Sequence, residues 1–160
     1  MAKAPFEAIV EAHGATVLRV CRAVLGDADA DDAWSDTFLS ALRAYPDLPA
    51  EANHEAWLVT IAHRRAIDVG RARARRAVPT DTVAERPTRD GPPPPDPEVA
   101  TALGRLPDKQ RWAVAYHYLA DLPYDVVAEI VGGTAAAARR AAADGIANLR
   151  RQLDHERSIR

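Results

Sequence analysis

Apolar residues recur along this chain at three- and four-residue steps, the spacing that gathers side chains on one face of an α-helix. Residues 6–25 place Ile9, Val10, Val17, Val20, Cys21, Val24 and Leu25 in this way and stop at Gly26, which predicts a first helix. Residues 29–45 set Trp34, Phe38, Leu42 and Tyr45 on one stripe, with Pro46 as the stop. Residues 54–75 align Leu58, Ile61, Ala62, Ala66 and Val69, while Arg64, Asp68, Arg71 and Arg75 form a separate polar stripe. Further helices are predicted at 97–104, 108–119, 124–131 and 134–153. No stretch alternates convincingly with the period of two that a half-buried strand requires. The expected fold class is all-α.

Between the third and fourth helices lies AVPTDTVAERPTRDGPPPPDPE, residues 77–98, which holds seven of the twelve prolines and almost no large apolar residue. Four consecutive prolines, Pro92 to Pro95, favour extended polyproline geometry and exclude a helix or central strand. This segment is expected to be a flexible Pro-rich linker. It divides the chain into two small helical domains, residues 1–76 and 99–160.

Composition narrows the class. The chain has 160 residues, of which 48% are hydrophobic and 28% charged, a globular balance able to form a core. No apolar run approaches the roughly 18 residues that cross a bilayer, so membrane insertion is not expected. Glu7 and Glu11 stand where a secretory signal would have its apolar stretch. The single cysteine, Cys21, excludes an internal disulfide framework and any multi-cysteine zinc site. The expected location is the cytoplasm.

The formal charge of −2 hides a strong division along the chain. Residues 1–56 carry four Lys/Arg against ten Asp/Glu, whereas residues 57–76 carry six Arg against Asp68 alone. Residues 77–98 are acidic by three and residues 99–160 basic by two. Such alternation suggests a basic protein surface as partner for the acidic block and a polyanion for the arginine block, although charge runs also simply solvate helix faces.

Three constellations stand out. Asp29, Asp31, Asp32 and Asp36 open the second helix. Carboxylates there complement the helix dipole, but four in eight residues exceed what capping needs and point to an acidic docking face. The third helix joins Trp57 to His63, Arg64, Arg65, Arg71, Arg73, Arg75 and Arg76. Arginines neutralise phosphates and bond base edges, and exposed aromatics stack on unpaired bases; Trp57 is equally suited to a core. Asp68, at helical spacing from Arg64 and Arg71, is placed to pair with both. Finally, Tyr124–Val131, Gly132-Gly133 and a helix from Thr134 match a helix-turn-helix in length and apolar pattern. Val127, Ile130, Val131, Ala138, Ile146 and Leu149 would form its core. Its second helix, with Ala135–Ala138 and Ala141–Ala143, leaves Arg139 and Arg140 as its long basic residues before Arg150.

No enzyme constellation emerges. The five histidines are scattered without metalloprotease spacing, Gly132-Gly133 lacks the Lys and Ser/Thr of a phosphate loop, and Cys21 lies on an apolar face. Neither a metal nor a cofactor is expected.

These residues resemble a known family, the small bacterial sigma factors of the extracytoplasmic-function (ECF) group. Asp29-Ala30-Asp31-Asp32-Ala33-Trp34-Ser35-Asp36-Thr37-Phe38 is similar to the family's DAEDLVQETF, and Trp57-Leu58 with Ile61-Ala62-His63-Arg64-Arg65-Ala66-Ile67-Asp68 to its WL..IARNRALD. Leu106-Pro107, Leu122-Pro123-Tyr124 and Ala128-Glu129-Ile130-Val131-Gly132 resemble LP, LSY and IAEILG of region four, and Asn148-Leu149-Arg150 resembles the closing ARLR. The resemblance spans nearly the whole chain except the linker, in order and spacing. It departs at Arg64, where the family usually has Asn, at Ser35 and Asp36, which replace Gln and Glu, at Ala136-Ala137-Ala138 in place of GTV, and at Asp144 in place of arginine.

The resemblance implies a sigma factor that directs core RNA polymerase to promoters. Asp29, Asp31, Asp32, Asp36 and Phe38 would dock on the β′ clamp helices. Trp57, His63, Arg64, Arg65, Asp68, Arg71 and Arg75 would recognise and melt the −10 element. Thr134, Ala135, Arg139 and Arg140 would address the −35 element, with the second domain on the β flap. It further implies control by an anti-sigma protein. A DNA-binding regulator, or a polymerase-binding decoy with weakened −35 recognition, remains an alternative.

Overall fold

The structure, a computed structural model, describes residues 3–76 and 91–159; positions 77–90 of the expected linker lie outside the described residues. All regular elements among the described residues are helical: α1 (Phe6–Leu25), α2 (Asp27–Ala44), a 3₁₀ turn (Tyr45–Asp47), α3 (His54–Arg75), α4 (Pro97–Gly104), α5 (Asp108–Val114), a π-helical turn (Ala115–Leu119), α6 (Tyr124–Val131) and α7 (Ala135–Ile159). The all-α class holds.

Local chemistry sets the boundaries. Asn53 accepts from the Ala56 amide at 3.1 Å and so caps α3. Asp96 does the same for α4, accepting from Glu98 at 2.8 Å with Pro97 in the first turn. Gly26 takes φ +82°, a left-handed value that lets the chain leave α1 and enter α2 within one residue. The second helix therefore starts at Asp27, two residues before the expected 29. The expected helix 108–119 changes character midway: Ala120 N–H bonds Ala115 C=O, five residues back, at 3.2 Å. This widened turn directs Tyr116 and Ala120 inward and leaves Tyr118 and Leu119 exposed.

In the first domain α1, α2 and α3 pack on one another. Val17, Val20, Ala41, Leu58 and Val59 are at most 1% exposed. In the second, α7 packs along α5 and α6. Buried Gly145 lets that approach happen, because a β-carbon there would stand 2.7 Å from Val114 Cγ2.

The two halves share their core. α1 touches α4 and the π-turn, and α3 touches α6. One cluster of buried residues runs from Val17, Val20 and Leu58 to Leu103, Val114, Tyr116 and Val127. The proline run is part of this packing. Arg22 Nη1 donates to the Pro92 carbonyl at 2.7 Å, and Gly91 lies close against Leu18.

Candidate nucleic-acid and protein-docking interfaces

The acidic cluster divides by position on α2. Arg73 of α3 donates through Nε to Asp29 Oδ2 at 2.9 Å, with a second bond from Nη2, and that same Nη2 donates to the Leu25 carbonyl at 2.7 Å. Asp29 is thus tied into the fold. Asp32 is exposed, and Asp31 and Asp36 are partly exposed. Phe38 is only 6% exposed and packs 4.5 Å from the Trp34 ring, so its place is the core. Leu39 and Leu42, by contrast, are 54% and 50% exposed. Asp32, Asp36 and Leu39 follow one another at i, i+4 and i+7, which puts them on one face. The sequence reading gives Leu39 no role, because it stands outside the Trp34, Phe38 and Leu42 stripe and carries no charge to mark it.

α3 separates its basic residues from its inward face. Arg64, Asp68, Arg71 and Arg75 are exposed along one stripe, and Arg65 is half-buried. Asp68 makes no ion pair with Arg64 or Arg71 among the described residues; the expected pairing is absent. Trp57 is half-buried, packs on the core and lies 6.3 Å from the Tyr45 ring.

His63 takes the other side. It is 4% exposed, and its Nδ1 shares a 2.5 Å hydrogen bond with the Tyr116 hydroxyl. Its ring meets those of Trp112 and Tyr116 edge-on, at 4.7 and 5.4 Å. Burial pushes its pKa down to about 4, so the imidazole is neutral near pH 7. In this conformation His63 offers nothing to DNA. Burial likewise raises the Tyr116 phenol and pushes the Cys21 thiol up to about 12, which leaves the thiol inert.

In the second domain Gly132 and Gly133 both have φ +91°, and they make the turn between α6 and α7. Thr134 Oγ1 accepts from the Ala137 amide at 3.1 Å and caps α7. Ala135 is half-buried, and Arg139 and Arg140 are exposed. The Arg139 guanidinium lies 5.3 Å from the centre of the Tyr124 ring, which stacks on His117 at 3.9 Å. Among the described residues no three metal-ligating side chains converge, and no helix is long and apolar enough to cross a membrane.

Comparison with known proteins agrees with this layout. The family model for sigma-70 region 2 matches residues 9–76, and that for sigma-70 region 4 matches residues 97–149. Among solved structures, the chain is similar to the sigma factor RpoE of Bartonella quintana, seen with the anti-sigma factor NepR: TM-score 0.78, 22% identity, covering 93% of this chain and 96% of that one. It is also similar to CnrH, seen with the cytosolic domain of CnrY: TM-score 0.68, 22% identity, covering 94% and 88%. No curated protein matches. With both conserved regions present in order, over the helices that carry the acidic face, the basic stripe and the glycine turn, the chain belongs to the sigma-70 family.

Proposed function

We propose that the protein is an ECF-group sigma factor of the cytoplasm that recruits core RNA polymerase to a set of promoters and assists their opening. The single observation that carries this reading is the pairing, within one region-2 fold, of an exposed acidic face on α2 with an exposed arginine stripe on α3. The α2 face, Asp32, Asp36 and Leu39, would meet the β′ clamp helices. The α3 stripe, Arg64, Arg71 and Arg75 with Arg65 beside it, would follow the −10 element and steady the strand whose bases are drawn out of the stack. The second domain would meet the β flap and the −35 element. The sigma factor RpoE, of similar fold, is seen with the anti-sigma factor NepR, which supports control by an anti-sigma protein here.

A second reading concerns the −35 contact. Thr134 is spent on capping, Arg139 leans on Tyr124, and the first turns of α7 are alanine. A good bidentate base contact contributes roughly 1–3 kcal/mol of discrimination, so Arg139 and Arg140 specify little by themselves. Promoter choice would then rest mainly on the first domain. Run-off transcription with purified core polymerase on fragmented genomic DNA tests the proposal: specific start sites that depend on this chain support it, and no chain-dependent transcript defeats it.

A further inference from the structure

The seam between the two halves is filled at one point and hollow at the next. Tyr116 of the second domain is 1% exposed and sits in a slot formed with Val20, Cys21, Val24, Ala62 and Ala66 of the first. Beside that slot, and sharing Val24 and Ala66 as walls, lies a cavity of about 360 Å³. α3 supplies Gly70, Arg71 and Arg73 to its lining, and α5 supplies Asp108, Arg111 and Trp112. Arg71 and Gly70 are exposed, and a β-carbon at Gly70 would meet nothing within 4 Å. The cavity is therefore reached from solvent past α3.

Its charge is not balanced. Three guanidiniums face one carboxylate. Arg73 is held by Asp29 and the Leu25 carbonyl. Arg111 gives Nη1 to the Leu106 carbonyl at 2.9 Å and Nη2 to Asp108. Two donor groups remain. Arg111 Nε is buried with no acceptor among the described residues. The Arg71 side chain makes no ion pair among them either. A guanidinium cannot shed its proton to escape burial, as a lysine or histidine can. An anion in the hollow would satisfy both donors, and the guanidinium fork matches the oxygens of a phosphate.

Size and lining narrow the choice of anion. Small-molecule sites span about 300–1,000 Å³, whereas one water takes about 30 Å³, so a bare ion would leave most of this space unfilled. The remaining wall is apolar, from α1 and α3, with the Trp112 indole beside it. That combination suits a flat ring joined to a phosphate. We propose that the seam cavity binds a small aromatic phosphate monoester of nucleoside-monophosphate size, its phosphate held by Arg71 and Arg111 and its ring against Trp112 and the apolar wall. The site stands independently of the sigma-factor reading. That reading gives Arg71 to DNA, so the ester and DNA compete for this residue.

Titration calorimetry of the full chain with the four ribonucleoside 5′-monophosphates tests the site, with the nucleosides and inorganic phosphate as controls. At least one monophosphate should bind saturably, about tenfold or more tighter than its nucleoside or inorganic phosphate. Arg71→Gln should weaken that binding about tenfold or more, and Arg111→Lys, which keeps the charge but removes Nε, should weaken it too. Gly70→Leu puts a side chain into the cavity without removing a charge, and should abolish binding at unchanged helicity. Saturable binding by none of the four overturns the site, as does binding that neither Arg71→Gln nor Gly70→Leu weakens. Inorganic phosphate binding as tightly as every monophosphate overturns the organic ligand. A single-stranded oligonucleotide separates a free ester from the DNA backbone as the source of the phosphate. It should displace the monophosphate, yet bind the Gly70→Leu chain as well as the unsubstituted one. Equal loss of both ligands in Gly70→Leu would make the cavity a seat for the DNA backbone and overturn the small-molecule site.

Discussion

Arg73, near the end of α3, holds Asp29, near the start of α2, across 44 residues of sequence. The basic helix and the acidic cluster are therefore parts of one structure, and the acidic residues do different work. Both partners of this pair are partly exposed, which limits its contribution to about 0.2–1 kcal/mol.

Asp32→Lys with Asp36→Lys should abolish co-purification with core polymerase while leaving helicity intact, and Leu39→Glu should do the same from the apolar side of that face. Asp29→Ala should cost less than about 1 kcal/mol of stability and weaken polymerase binding far less. Pull-down with core enzyme, set beside thermal melts of each variant, checks all of these.

Two helical glycines should respond to alanine with opposite signs. At Gly145 the new methyl meets Val114 at 2.7 Å and the Gln110 carbonyl at 3.3 Å. Overpacking costs typically 1–3 kcal/mol against about 1 kcal/mol of gained helix propensity, so a net loss of up to about 2 kcal/mol is expected. At Gly70 nothing lies within 4 Å, and alanine should stabilise by up to about 1 kcal/mol. Denaturant unfolding of the two variants decides.

The docked state should depend on pH through His63. Its pKa is about 4 when buried and 6.5 when free, so the opened or unfolded chain binds the extra proton. The stabilisation is complete above about pH 6.5 and is lost as the pH falls toward 4, by up to about 3 kcal/mol. Trp112 emission, read in a Trp34→Phe, Trp57→Phe background, should change over this window and lose that transition in His63→Leu. A flat profile in the His63 chain would contradict the assignment.

Promoter opening should be more sensitive to the first domain than to the second. Arg64→Ala or Arg65→Ala should reduce permanganate reactivity of the opened strand more than Arg139→Ala. The reverse order would show that α7 reads DNA strongly despite its alanines.

Much of the fold is legible in the sequence because the signals are local. The spans expected at 6–25, 54–75, 97–104 and 124–131 are those of α1, α3, α4 and α6, with Gly26 ending the first and Gly132 following the last. α7 runs past the expected 153 to Ile159 because no glycine or proline after Gly145 stops it. The π-turn escapes because one extra residue in a helical turn leaves the apolar pattern nearly unchanged. His63 shows the deeper limit. Its neighbours Val59, Ala62 and Ala66 mark an inward face, but what fills that face is Tyr116, 53 residues away. Periodicity within a helix says which side is covered and is silent on what covers it.

The Tyr116 slot also bears on how the chain comes apart. Because its walls belong to one half and its occupant to the other, neither half closes its own apolar surface. Melting the first half removes the pocket, and melting the second uncovers it, so each loss lowers the stability of what remains. The chain should thus unfold as a single cooperative unit, although its sequence is written as two modules.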